Sequence, residues 1–408
     1  MSKTLRSRRP FGDLFRRLQA HPADRLALQQ AAQLALQVEF ATVPVYLSGL
    51  YSIKERDCVA YQALRSVVME EMFHINQAAN LVVALGALPR FTGQAAPEYP
   101  CYLPHANEAT TPLLGLYRAS TDVFENVFAA IEAPAPAGAP PQADHYDTIA
   151  QLYKALSDAI LRYPGNPFEP PAREGRQRLD IYIGKFGGKV LPITDKPSAQ
   201  FAIQQIVQQG EGSVPAGSPL IPVEPFGAYN HYGQRTDGTY GPIIGLPAEM
   251  SHFSKFRHVA LDKENFPPTL PVTSNPDAAD FSNPEARELA GTFNMHYSVM
   301  LHALEVTFQA GPSDPYFSVV LNLMHHVLPQ LATSLMNTPA HLNGDSSVGP
   351  NAAPTWHYEP QARLAALAPT LRATLDRRAL PAPALAPLAA ALQGLERLTP
   401  AATSSAPL

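Results

Sequence analysis

Apolar residues return every three to four positions through two long runs near the N-terminus, and that period predicts two helices. The first covers about Ala23 to Ile53, with Ala32, Ala35, Leu36, Val43 and Tyr46 on one side. The second starts near Asp57, a residue suited to capping, and reaches about Leu88. Val67, Val68, Ile75, Ala78 and Leu81 share one of its faces. The turn between the two is short, which favours an antiparallel hairpin. Pro44 lies inside the first helix, where a missing N–H predicts a kink.

Beyond this pair the pattern is more broken. Helices are predicted over about 111–131, 144–161 and 198–210, and another begins near Pro247. An Ala/Pro stretch over 133–141 is a linker, and Arg178 to Ile193 alternates as a small β-hairpin around Gly187-Gly188. The stretch 212–248, rich in Gly, Pro and Tyr, is too long for a helix–helix turn and reads as a lid. Asn283-Pro284-Glu285 starts a helix that reaches about Ala310. Another runs from Asp314-Pro315 to about Met336, kinked by Pro329, and a last amphipathic helix covers Gln361 to Arg378 after a loop through Trp356. The expected division is a basic arm over 1–22, a helical bundle over 23–265, a C-terminal helical part over 266–380 packed on it, and an Ala/Pro-rich tail over 381–408 that docks loosely or frays.

Composition narrows the function. Only 16% of the 408 residues are charged and the net charge is −5, so no basic stripe suggests nucleic acid. The 42 prolines indicate much ordered loop. Cys58 and Cys101 form no Cys-x-x-Cys, which points to a reducing compartment and away from zinc ribbons or an iron–sulfur reductase. The basic segment Met1 to Arg17 lacks a continuous apolar stretch and is expected to be a solvated arm rather than a secretory signal. No apolar run is long enough for a membrane span, and a cytoplasmic location is the expectation. Motifs for nucleotide binding or serine hydrolysis are missing.

The chemistry lies in the carboxylates and histidines of the apolar-periodic segments. Glu71 and His74 stand three apart and emerge from one helix face, the face turned inward. Buried charge of this kind needs a partner, and the usual remedy for Glu-x-x-His is a metal ion. Glu249 and His252 repeat the spacing, with Phe253 and Phe256 following. Glu39 and Glu211 are lone glutamates in apolar settings, so the order along the chain is Glu, Glu-x-x-His, Glu, Glu-x-x-His. That is the ligand order by which a four-helix bundle holds two metal ions. Glu211 stands between two glycines, where helices end; Glu125 and Glu132 are the alternatives for the third position. Glu70 points about 100° away from Glu71 and is expected at the surface or in support of the ligands. Tyr46, one heptad beyond Glu39, is the candidate for a catalytic role in the pocket, while His296, His302, His325 and His326 read as ordinary core or edge residues. Carboxylate oxygens with imidazole suit two iron ions, with manganese as the alternative.

Taken together, Glu39-Phe-Ala-Thr-Val-Pro-Val-Tyr-Leu, Glu70-Glu71-Met-Phe-His74, Gln209-Gly-Glu211-Gly-Ser213, Glu249-Met-Ser-His252-Phe and Asn283-Pro-Glu-Ala-Arg-Glu-Leu-Ala resemble the ferritin-like iminophenylpyruvate dimer synthase family. The resemblance covers roughly Ala23 to Tyr358 and supports Glu211 as a ligand. It implies a mainly α fold: a ferritin-like four-helix bundle with additional C-terminal helices, long Pro/Gly-rich loops and the small β-hairpin. Named members couple two imines derived from aromatic α-keto acids, and there this region is the C-terminal part of a much larger chain. The expected function is a non-haem di-iron oxidoreductase using O2 or peroxide on a small organic substrate in specialised metabolism. With no reductase module present, electrons come from a partner, the substrate or peroxide. An iron-handling or peroxide-removing protein and a non-catalytic accessory protein are the competing readings.

Overall fold

The first long helix is anchored at its start by a charge pair. Arg17, on α1 (Leu14–Ala20), lies 2.8 Å from Asp24, whose carboxylate accepts the Ala27 N–H at 2.9 Å. In the computed structural model, which describes residues 6–134, 145–168, 176–180, 188–210, 251–311, 315–377 and 379–398, α2 then runs over Arg25–Ser52. It is buried on nearly every side and continues through Pro44. A helix apolar all round is a central one. After a short turn α3 (Val59–Ala84) returns against it. Its cap is Cys58, whose sulfur accepts the Tyr61 N–H at 3.4 Å, one residue later than the expected Asp57.

The helix expected over 111–131 is shorter. It comprises α4 (Thr121–Val123), a π-helical segment (Phe124–Phe128) and α5 (Ala129–Ile131). The preceding residues spend their backbone groups on loop partners. Cys101 and Leu114 exchange N–H···O bonds of 2.9 and 2.8 Å, and the Leu116 N–H donates to Asn275 Oδ1 at 2.8 Å. Ser120 then caps the helix by accepting the Val123 N–H. Helices α6 (Ile149–Arg162), α7 (Lys196–Gly210) and α8 (His252–Leu261) pack on the α2–α3 pair from one side. The tip of the expected hairpin, 181–187, lies outside the described residues, and its flanks 176–180 and 188–193 follow irregular chain. Among the described residues β-structure is limited to isolated bridges.

The other side of the pair is covered by the C-terminal half. Asn283 and Pro284 start α9 (Pro284–Ala310) as expected. Next come α10 (Tyr316–Asn322), a π-helical turn (Leu323–Val327) and α11 (Leu328–Met336). The disturbance falls just before Pro329, whose ring would clash with the carbonyl of His325 in a regular helix. The wider π turn relieves that clash. Helices α12 (Leu364–Asp376) and α13 (Ala382–Glu396) complete this layer. Residues 382–396 are thus firmer than their composition suggests, because α13 buries Ala384, Leu388 and Ala391 completely against α11, α12 and the π turn. Two large hydrophobic cores result, one on each side of α2–α3, beside a small cluster of Val272, Met336 and Ala353. No described helix is long and apolar enough to cross a membrane.

Candidate metal centre

Helical spacing places Glu39 and Tyr46 on one face of α2 and Glu71 and His74 on one face of α3, and the two faces meet. Thr42 Oγ1 bridges them by donating to Glu71 Oε2 at 3.0 Å. A third contribution comes from the start of α8. Ser251 caps that helix by accepting the Ser254 N–H, which fixes His252 at its first position and Lys255 one turn later. Glu132, at the end of α5, supplies a further carboxylate. All of these side chains are buried, His252 completely.

The geometry around the two imidazoles is the same. His74 Nδ1 faces inward, 3.3 Å from Glu39 Oε2 and 3.7 Å from Glu71 Oε1. His252 Nδ1 lies 2.9 Å from Glu71 Oε1 and 3.6 Å from Glu132 Oε1. The rings stand 5.2 Å apart and nearly parallel. Each outer nitrogen has its own partner: His252 Nε2 meets Glu70 Oε2 at 2.8 Å, and His74 Nε2 meets Gln209 Oε1 at 3.0 Å. Both partners accept, so each ring carries its proton on Nε2 and can present Nδ1 as a lone pair. Glu70 is itself fixed by Lys255, whose Nζ sits 2.8 and 2.6 Å from its two oxygens.

Four buried carboxylates, Glu39, Glu70, Glu71 and Glu132, therefore share the cluster with Lys255 and two imidazoles. The titration directions reflect this. Burial pushes Glu71 up to about 7, partly offset by His252 and His74. Burial opposes charge on His74 too, but the Glu39 and Glu71 carboxylates outweigh it and raise its pKa. His252 is raised well above the ordinary histidine value, because Glu132, Glu70 and Glu71 together overcome its burial. Glu132 is held low despite burial by His252 and by Tyr46, whose hydroxyl donates to its Oε1 at 2.5 Å. Burial and the nearby carboxylates drive the Tyr46 phenol well above 10, so it keeps its proton.

The residues present fit a metal. Glu71, His74 and His252 each offer one ligand atom, all within 4.8 Å of one another. Among the described residues Glu39 Oε1 and His252 Nδ1 are buried without a hydrogen-bond partner, the latter despite its closeness to Glu71. Buried atoms of this kind are normally satisfied. A cation among them would satisfy both and offset the surplus negative charge.

Of the expected site residues, Glu39, Tyr46, Glu71, His74 and His252 come together here. Glu211 and Glu249 lie outside the described residues. Of the two alternatives for the third position, Glu132 is in the cluster and Glu125 is not; Glu125 instead pairs with Arg257. Glu132 also lies against the end of α7, since a Cβ on Gly210 would stand 3.1 Å from its Oε2. Glu70 proves to be a buried support and not a surface residue. Lys255 and Gln209 escaped sequence reading. The signal for Lys255 was its place three residues past His252 on the same face.

Comparison with known proteins follows the same lines. A family model described as Ferritin-like matches residues 32–260. Dichlorochromopyrrolate synthase from Lentzea aerocolonigenes is 26% identical over 226 residues, 51% of this chain and 20% of that protein. The 2-imino-3-(indol-3-yl)propanoate dimerase of Chromobacterium violaceum is 25% identical over 327 residues, 74% of this chain and 28% of that protein. The chain thus spans less than a third of the length of these curated relatives. The crystal structure of a ferritin like protein from Caulobacter vibrioides shares the fold, with a TM-score of 0.56 at 22% identity over 81% of this chain and 97% of that one.

Proposed function

The chain belongs to the ferritin-like family, and from that premise we propose that it is a di-metal oxidoreductase, with iron as the metal and manganese as the alternative. Glu39, Glu71, His74 and His252 would hold the ions, with Glu132 beside them. Glu211 and Glu249 would complete the set; they are assigned by sequence position, one residue past Gly210 and three before His252. When bound, two such ions supply one electron each to O2 or peroxide and so permit two-electron oxidation of an organic molecule.

The protein's own residues prepare that chemistry. Glu70 and Gln209 hold the Nε2 protons of His252 and His74, which keeps both Nδ1 atoms free to bind. Lys255 Nζ donates to both Glu70 oxygens and fixes the carboxyl where it meets His252 Nε2. Tyr46 holds its proton at the hydroxyl and delivers a hydrogen bond to Glu132, while Phe128 and Phe256 pack against its ring and exclude water. The proposed substrate is a small aromatic, amino-acid-derived imine, the class in the name of the Chromobacterium relative. The electrons come from an external donor or from the substrate, and a chain acting only as an accessory would take up no metal.

The observation that carries the proposal is the matched pair of imidazoles, outer nitrogens anchored and inner nitrogens turned toward shared carboxylates. Metal analysis with Mössbauer spectroscopy of the iron-loaded protein tests it. About two coupled iron ions per chain are expected, with marked loss in Glu71→Ala and His252→Ala. A wild-type protein that takes up no metal when grown with iron would overturn the reading.

A further inference from the structure

We propose that the cavity between the α2–α3 pair and the C-terminal helices binds a neutral aromatic molecule of one or two fused rings, at a site separate from the carboxylate–histidine cluster. The cavity has a volume of about 340 Å³. An apolar cavity of about 150 Å³ already accepts benzene, so this space suits a bicyclic ring. Protein interiors leave few voids larger than a water, and an unfilled one weakens the fold. An apolar space of this size, open at one end, is suited to an occupant.

The walls specify what kind. Phe40, Tyr297, Phe308, Phe317 and Trp356 present aromatic surface, and four of the chain's eight methionines, Met69, Met72, Met300 and Met324, line the rest. Aromatic edges and thioethers are the groups that pack on a flat ring, and methionine adjusts to its outline. The ionisable groups of the wall, Asp180 and His325, are exposed and mark the mouth, together with the partly exposed Leu321. Asp180 is already engaged by Arg178. Among the described residues a charged ligand would find no counter-charge further in.

Two polar atoms in the wall lack partners among the described residues. They are Asn76 Oδ1 and the Tyr297 hydroxyl, on side chains only 2% and 1% exposed. Buried polar atoms are normally paired, so a small turn of either side chain toward the cavity would offer this acceptor to a ring N–H or this donor to a ring nitrogen. The site is also distinct from the metal cluster. Phe40, Met72 and Ile75 line the cavity, yet each directly follows a cluster residue, Glu39, Glu71 or His74. Consecutive helical positions point about 100° apart, so α2 and α3 present the cluster on one face and the cavity on another.

Trp356 is the sole tryptophan and lies in the wall, so its single indole N–H resonance reports occupancy. The probes are naphthalene, quinoline and indole, titrated by calorimetry and by nitrogen–proton NMR, before and after metal removal by chelator. One saturable site per chain is expected, with the Trp356 resonance moving in step and binding unchanged by the chelator. Tyr297→Phe should weaken quinoline about fivefold and leave naphthalene unaffected, because only the former accepts the hydroxyl's hydrogen bond. Met324→Trp should fill the space and abolish binding of all three; should that variant fail to fold, the Tyr297→Phe contrast still decides. An unmoved Trp356 resonance, equal effects of Tyr297→Phe on quinoline and naphthalene, or binding that disappears with the metal would each overturn the proposal.

Discussion

Lys255 Nζ grips both oxygens of Glu70, at 2.8 and 2.6 Å, while Glu70 Oε2 takes the Nε2 proton of His252 at 2.8 Å. Lysine and histidine lie one turn apart on the same helix, so α8 brings a ligand candidate and the charge that fixes its tautomer together. Removing the lysine takes away the positive charge that faces the buried Glu70 carboxyl. Lys255→Met is expected to cost about 3–5 kcal/mol in denaturant unfolding of the metal-free protein. Adding Glu70→Gln should recover a substantial part of that loss, since the stranded charge is then gone. A double variant as unstable as the sum of the two single ones would show that the pair is not coupled.

Gln209 does for His74 what Glu70 does for His252, but without charge. Gln209→Leu removes the acceptor at Nε2 and lets the ring turn or change tautomer. Groups that orient ligands in this way typically matter 10–100-fold in metal affinity. Competition against a coloured chelator should show a fall of that order, with the circular dichroism spectrum unchanged. Unaltered affinity would mean that packing alone aims the ring.

Metal removal should be felt as lost stability. A ligand that binds only the native state stabilises it by about 2.7 kcal/mol when free at 100 times its dissociation constant. Iron-loaded protein should therefore melt several degrees above the chelator-treated form. In His74→Ala that gap should shrink or vanish. A gap that persists undiminished in this variant would place the metal elsewhere.

The sequence displayed those parts of the centre that repeat with helical period. Glu39, Glu71, His74 and His252 lie on continuous apolar stripes, so their faces were readable one helix at a time. The helix order and the start at Asn283-Pro284 were legible for the same reason. Glu132 was harder to place, because it follows a π-helical segment and ends a short helix, where a fixed period no longer says which way a side chain points. Lys255 and Gln209 carry only a weak signal, because a polar residue near a ligand looks like any solvated position until the neighbouring helix is in place. The loss of helix over 111–120 arose from tertiary partners, Cys101 with Leu114 and Asn275 with Leu116, which local propensity does not encode. Over 382–396 composition alone is a poor guide: the Ala/Leu content that suggests loose docking is what lets α13 pack closely.

A last prediction concerns the joint between the two layers. Glu305, on α9, accepts four hydrogen bonds from the loop after α3: Arg90 Nη1 at 2.6 Å, the N–H groups of Phe91 and Thr92 at 3.0 and 3.2 Å, and Thr92 Oγ1 at 2.9 Å. Burial would raise its pKa, but these donors, the Phe91 N–H foremost, outweigh it and hold the carboxyl below its usual value. The folded-state pKa thus lies under the unfolded one. Stability from this group is present above the unfolded value, near 4.3, and is lost as pH falls through the lower, folded one. Glu305→Gln keeps the shape but not the charge, and at pH 7 it should cost about 1–3 kcal/mol. In urea unfolding series that difference between wild type and variant should hold from pH 6 to about pH 5 and then narrow toward pH 3. A difference constant across this range would show that the hydrogen bonds, and not the charge they stabilise, hold the loop to α9.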